Sequence, residues 1–184
     1  MKFKRGFTLI ELLVVIAIIG ILSAVTVPNI VDATARARNA GRMANLASLE
    51  TALMQYKEDN GGFPSTGGNY WCAGGTFSFC SRDYEGSNGY IPNLAPQYIR
   101  RLPADPMLGK PNPVTGGYNA GYFYVSNGTD FKVFIWNAPE NPGSHLCVVL
   151  DAGGNCAGDP SFQYYNPARP GYTWAIYSPG ARDW

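Results

Sequence analysis

The sequence predicts an α+β fold: a long N-terminal helix packed on a small antiparallel β-sheet. Three observations carry this. From Leu12 to Val31, twenty consecutive residues carry no charge, a helical length of about 30 Å and enough to cross a bilayer core. Helix formers then continue to Glu58, where Asn60-Gly61-Gly62 and Phe63-Pro64 supply a stop. Almost all of the 14 Pro and 12 Tyr residues lie beyond residue 55, the mark of a turn-rich, aromatic-rich β region.

The chain has 184 residues, which suits one domain and a tail rather than two full domains. Charged residues make up only 15%, low for a soluble cytoplasmic domain. The formal charge is +1, and Lys2, Lys4 and Arg5 supply three of the 14 basic residues. The remainder is slightly acidic, so no basic field exists to attract nucleic acid.

Residues 1–6, MKFKRG, are short and basic and end in glycine. Three readings of the adjoining apolar run compete. A cleaved secretory signal has an apolar core of about 7–15 residues; the run here is longer, although 21–24 offers a cut site. An ordinary single-pass anchor explains the length but leaves Glu11 unexplained, since a carboxylate in an apolar span costs on the order of 2–3 kcal/mol at the membrane centre. The third reading cuts the chain between Gly6 and Phe7. The new Phe7 α-amine then lies one helical turn from Glu11. In a stack of parallel helices the amine of one subunit pairs with the carboxylate of a neighbour and sets their register. Basic residues flank the span on both sides, with Arg36, Arg38 and Arg42 after it, so charge asymmetry does not fix its orientation.

The string Lys4-Arg5-Gly6-Phe7-Thr8-Leu9-Ile10-Glu11-Leu12, continued by LLVVIAIIGILSAVTVP, resembles the prepilin cleavage motif of type IV pilins and type II secretion pseudopilins. The resemblance covers roughly the first 30 residues. It implies cleavage after Gly6 by a prepilin peptidase, methylation of Phe7 and an assembly role for Glu11. It also implies a homo-polymer with related minor pilins, an inner-membrane assembly platform with a cytoplasmic ATPase, and membrane lipid around the helix before assembly. The implied organisation is a leader at 1–6, a transmembrane and assembly helix at 7–31, and a periplasmic or extracellular globular domain at 32–184. A single-pass inner-membrane precursor would become a periplasmic or cell-surface filament.

Pro28 should kink or weaken the helix locally. Beyond it Ala40, Met43, Ala47, Leu49, Leu53 and Tyr56 recur at helical spacing and read as the stripe that packs on the sheet. A helix from Phe7 to Glu58 is roughly 75–80 Å long. Residues 63–118 read as a long connection, with room for short strands or a helical turn near Gln97-Tyr98-Ile99. Within it Leu102-Pro103-Ala104-Asp105-Pro106 reads as a rigid turn, and it resembles the Leu-Pro-x-Asp-Pro segment of major pseudopilins. Tyr122–Ser126 and Phe131–Trp136 flank Asn127-Gly128, a strong hairpin signal. His145–Leu150 and Tyr172–Ser178 read as further strands.

Four cysteines form two close pairs in sequence, and in an exported chain an even count suggests disulfides. Cys72–Cys80 with Cys147–Cys156 is the natural assignment among three possible pairings; reduced thiols are the alternative. Zinc is disfavoured by the spacing and by the lone histidine, His145. Asp151, Asn155 and Asp159, in a Gly-rich loop, offer oxygen ligands for calcium without the EF-hand spacing. No other cofactor is implied, and no nucleophile-elbow motif accompanies His145. The function read from the chain is therefore that of a filament subunit, not an enzyme, for type II secretion or a surface pilus. The alternative is an exported enzyme or binding protein on a non-assembling anchor.

Overall fold

The structure, a computed structural model, describes residues 7–74, 80–111, 121–136, 140 and 173–184, and the side chains of 24–32 lie outside the described set. Two compact units divide the chain, Met1–Ala37 and Arg38–Trp184. Helix α1, Leu9–Asn60, contributes to both and runs without interruption through Gly20 and Pro28. Pro28 removes one backbone donor without ending the helix.

In the first unit, twelve large apolar side chains between Phe7 and Leu22 are exposed, each by 44–79%. Among the described residues no helix is long and apolar enough to cross a membrane. The uncharged run continues in sequence through 24–31, whose side chains lie outside the described set.

In the second unit, α1 is amphipathic. Arg42, Leu46, Leu49, Ala52 and Leu53 are buried, with Met43 and Tyr56 partly so. The expected stripe is corrected here, because Ala40 and Ala47 face outward. Positions 42, 46, 49, 53 and 56 follow the 3.6-residue period through one line, and the two alanines fall off it. The helix ends at Asn60. Gly61 (φ +77°) donates its N–H to the Lys57 carbonyl at 2.8 Å, a left-handed cap that favours glycine.

The sheet contains β1 (Trp71–Cys72), β2 (Gly121–Ser126), β3 (Phe131–Trp136) and β4 (Thr173–Tyr177), antiparallel throughout and in sequence order. The hairpin pairs Ser126 with Phe131 and Tyr122 with Ile135. Strand β1, only two residues long, was hidden from sequence inside the connection; the strand expected at 145–150 lies outside the described residues.

On one sheet face, Tyr122, Tyr124, Phe131, Val133, Ile135, Trp174 and Ile176 share a core with Leu46, Leu49 and Leu53. The opposite face is not solvated. Phe123, Phe134 and Ala175 are buried there with Cys72 and Cys80, and the Phe123 and Phe134 rings stack at 4.9 Å. Their strands read YFYV and FKVFIW, near-continuous apolar runs of the kind that two covered faces require. Buried tyrosines fasten the connection to the sheet: Tyr124 donates to the Pro64 carbonyl at 2.7 Å and Tyr90 to that of Pro103 at 3.0 Å.

Leu49→Ala or Leu53→Ala should destabilise the full chain in detergent by about 2–5 kcal/mol. Ala47→Ser, on the outward face, should change stability by no more than about 0.5 kcal/mol. Urea unfolding monitored by tryptophan fluorescence checks both, and equal costs at 47 and 49 would contradict the assigned face.

Candidate functional site

Two polar arrangements stand out, one in each unit. The first opens α1. Thr8 precedes the first helical residue, and its backbone N–H and hydroxyl both donate to Glu11 Oε2, at 2.8 and 2.7 Å. The Glu11 N–H returns a bond to Thr8 Oγ1 at 3.3 Å. This is a capping box, in which residue N3 reaches back to the N-cap. Thr-x-x-Glu before an apolar run is its sequence signature, so the signal was present in Thr8-Leu9-Ile10-Glu11, although the expectation for Glu11 was an intermolecular role alone. Among the described residues, Oε1 has no partner. Phe7 is 76% exposed; Gly6 lies outside the described residues.

The second arrangement lies on α1 at Arg38, Asn39 and Arg42, facing Asp105 and Glu140. Arg42 sits on the buried line of α1, where an apolar residue is expected, and its guanidinium is fully enclosed. Nε and Nη2 form a fork on Asp105, at 2.7 and 2.9 Å. Nη1 donates to Asn39 Oδ1 at 2.8 Å and pairs with Glu140 Oε1 at 2.8 Å. Arg38 Nε reaches both Glu140 oxygens, at 3.0 and 2.9 Å. Asn39 also clamps the backbone of residue 140, donating to its carbonyl at 2.6 Å and accepting its N–H at 3.3 Å.

Two cations and two anions thus compensate each other. Enclosing a guanidinium costs several kcal/mol and is tolerated only with near-complete pairing. Burial works against the Arg42 charge, yet the Asp105 and Glu140 carboxylates outweigh it and raise its pKa. Burial likewise pushes the Glu140 carboxyl up, but the bonds from Arg38 and Arg42 prevail and hold it below the ordinary glutamate value. Asp105 also forms the expected turn, accepting the Met107 N–H at 2.8 Å. Its ion pair, however, is the larger role. No local signal identified Asp105 or Glu140 as the partners of Arg42, although an arginine on an apolar line marked that something must neutralise it.

The model of the prokaryotic N-terminal methylation motif matches residues 1–27. The type II secretion system core protein G of Dickeya chrysanthemi is 32% identical over 165 residues, covering 85% of this chain and 97% of the relative. The chain belongs to the type IV pilin and pseudopilin family. Core protein G of Escherichia coli (strain K12) is 34% identical over 137 residues, 69% of this pilin-like chain and 83% of its own. The type IV major pilin protein PilA of Myxococcus xanthus is 52% identical over 53 residues, 29% of this chain and 24% of its own. No solved structure matches it.

The remaining candidates divide by location. Cys72 and Cys80 form a disulfide buried on the second sheet face of this pilin-family fold. Cys147, Cys156, His145, Asp151, Asn155 and Asp159 lie outside the described residues. Among the described residues, no group of three or more His, Cys, Asp or Glu side chains is placed to hold a metal ion.

Asp105→Ala should cost about 3–5 kcal/mol, because it leaves Arg42 enclosed without its fork. Urea unfolding of the full pilin-family chain in detergent checks this. Because the folded pKa of Glu140 is lowered, its contribution is complete above the unfolded value, 4.5, and is lost as the pH falls through the lower folded value. Urea midpoints should therefore fall as the pH drops from 4.5 toward that folded value, and less steeply in Glu140→Gln.

Proposed function

We propose that this chain is the structural subunit of a type IV pilus-like filament, made as a precursor and cut between Gly6 and Phe7. Before assembly, residues 7–31 hold it in the membrane as a single-pass span. The supporting observation is the exposed apolar surface of α1 from Phe7 to Leu22, interrupted only by the Glu11 carboxylate.

In lipid, this surface is already among apolar neighbours, so association there gains little from the hydrophobic effect. Once a subunit is lifted out of the bilayer, water is the alternative to a neighbouring helix. Each large side chain then contributes about 1.5–3 kcal/mol on burial, and assembly becomes strongly cohesive. Specificity comes from charge. Cleavage gives Phe7 a positive amine, and Glu11 offers the oxygen that Thr8 does not use. Pairing across subunits satisfies both and sets the axial register.

The prepilin peptidase, an assembly platform with a cytoplasmic ATPase, lipid and companion minor pilins are the partners this cycle requires. We assign the chain to a type II secretion pseudopilus, because its likeness to core protein G spans most of its length. A surface pilus is the second reading, favoured by the higher identity to PilA over a shorter stretch. Neither reading needs a catalytic residue or a cofactor.

Mass spectrometry of the protein from its native cell should find Phe7, methylated, as the first residue. Glu11→Ala should leave membrane insertion intact and abolish filaments, since the amine is then left unpaired in an apolar interface. Filaments at normal abundance in that variant would defeat the proposed register.

A further inference from the structure

The chain contains three Asn-Gly pairs, at 60–61, 88–89 and 127–128. In such a pair the glycine nitrogen meets little steric hindrance when it attacks the asparagine side chain. All three asparagines are exposed, so access to water does not separate them. Their bonding does.

Asn60 donates its Nδ2 to the Tyr56 carbonyl and the Tyr98 hydroxyl, at 2.9 and 3.0 Å. The adjoining Gly61 nitrogen is bound into the helix cap through the Lys57 carbonyl. Asn88 is held at both ends of its amide, accepting from Arg82 Nη1 at 3.0 Å and donating to Asp83 Oδ2 at 2.7 Å. The Gly89 nitrogen donates to the Gly86 carbonyl at 3.1 Å. In both pairs the side chain must release its partners, and the glycine its backbone bond, before they can react.

Asn127 is also hydrogen-bonded, but through different atoms. Its Oδ1 accepts the N–H groups of Thr129 and Asp130, at 2.9 and 2.8 Å. These bonds close an Asx turn over residues 127–130 and draw electron density from Cγ, while Nδ2, the leaving group, has no partner among the described residues, unlike Nδ2 of Asn60 and Asn88. The Gly128 N–H donates to a side chain, Ser126 Oγ, at 3.0 Å, and that hydroxyl in turn donates to the Asp130 carbonyl at 2.8 Å. That hydroxyl is a rotatable side-chain group, where Gly61 and Gly89 are bound to backbone carbonyls.

We propose that Asn127 is a site of spontaneous covalent modification, converting through a cyclic imide with Gly128 ahead of the other two pairs. The Gly128 nitrogen attacks Cγ of Asn127 and loses its proton to water. The Cγ–Nδ2 bond breaks, and Nδ2 leaves as ammonia with a proton returned from water. Water then opens the imide at either carbonyl, giving aspartate or isoaspartate. The net change is one water consumed and one ammonia released, with no redox step.

The position gives the change a structural effect. The Gly128 carbonyl accepts the Phe63 N–H at 2.7 Å, and the neighbouring Ser126 carbonyl accepts Thr66 N–H at 3.0 Å. Asp130 binds Ser178 Oγ at 2.7 Å and the Gly180 N–H at 3.2 Å. An isoaspartyl link lengthens the main chain inside this knot, and either product adds a carboxylate next to Asp130.

Purified full-length chain in detergent is aged at mildly alkaline pH and sampled over time by tryptic peptide mapping. Cuts after Lys57, Arg82, Arg100 and Lys132 put the three pairs on separate peptides. Asn127 should convert roughly tenfold faster than Asn60 or Asn88, the factor that about 1.4 kcal/mol off the barrier supplies. In guanidinium chloride the three rates should converge. Asn60 or Asn88 converting as fast in the native chain overturns the proposal. So does a lead for Asn127 that survives unfolding, because the cause would then be local sequence rather than the folded turn.

Discussion

A single enclosed guanidinium organises the globular unit. Arg42 occupies a place on the helix that packing alone would give to leucine, and its charge can stay there only if anions are delivered to it. Asp105 comes from the connection and Glu140 from beyond β3, so two distant segments are fixed against one turn of α1. The cost of leaving any member unpaired is of the same order as a small domain's whole stability. The cluster therefore contributes specificity of arrangement more than net stabilisation: many apolar packings could satisfy Leu46 and Leu49, but few can satisfy Arg42.

The N-terminal part of α1 shows the opposite condition. From Phe7 to Leu22 its large apolar side chains are exposed among the described residues, and there Glu11 is bonded through one carboxylate oxygen, by Thr8. One part of the helix is thus completed internally by ions, while the other is left open to partners. A polymer subunit needs this division of labour. The globular unit must be finished before assembly, and the assembly surface must not be.

Much of this was legible in the sequence, and the exceptions have a common cause. The uncharged run, the hairpin about Asn127-Gly128 and the helix stop near Gly61 are all local patterns, and local patterns survive in a one-dimensional reading. The line of buried positions was only partly legible, because Ala40 and Ala47 pass as apolar although their small side chains leave them free to face outward. Strand β1 is too short to show periodicity. The partners of Arg42 were illegible because they lie 63 residues or more away, and nothing near Glu140 distinguishes it from a surface acid. The covering of both sheet faces is implied by the apolar runs YFYV and FKVFIW, although a buried face was expected only toward the helix.

The Cys72–Cys80 link lies within the second sheet face, not on the surface. Such a bond closes where thiols are oxidised, which a reducing cytosol does not allow. On the proposed route, in which the globular unit leaves the cytosol, this wall of the β-sheet would be sealed only after export, and compartment would act as a timer on folding.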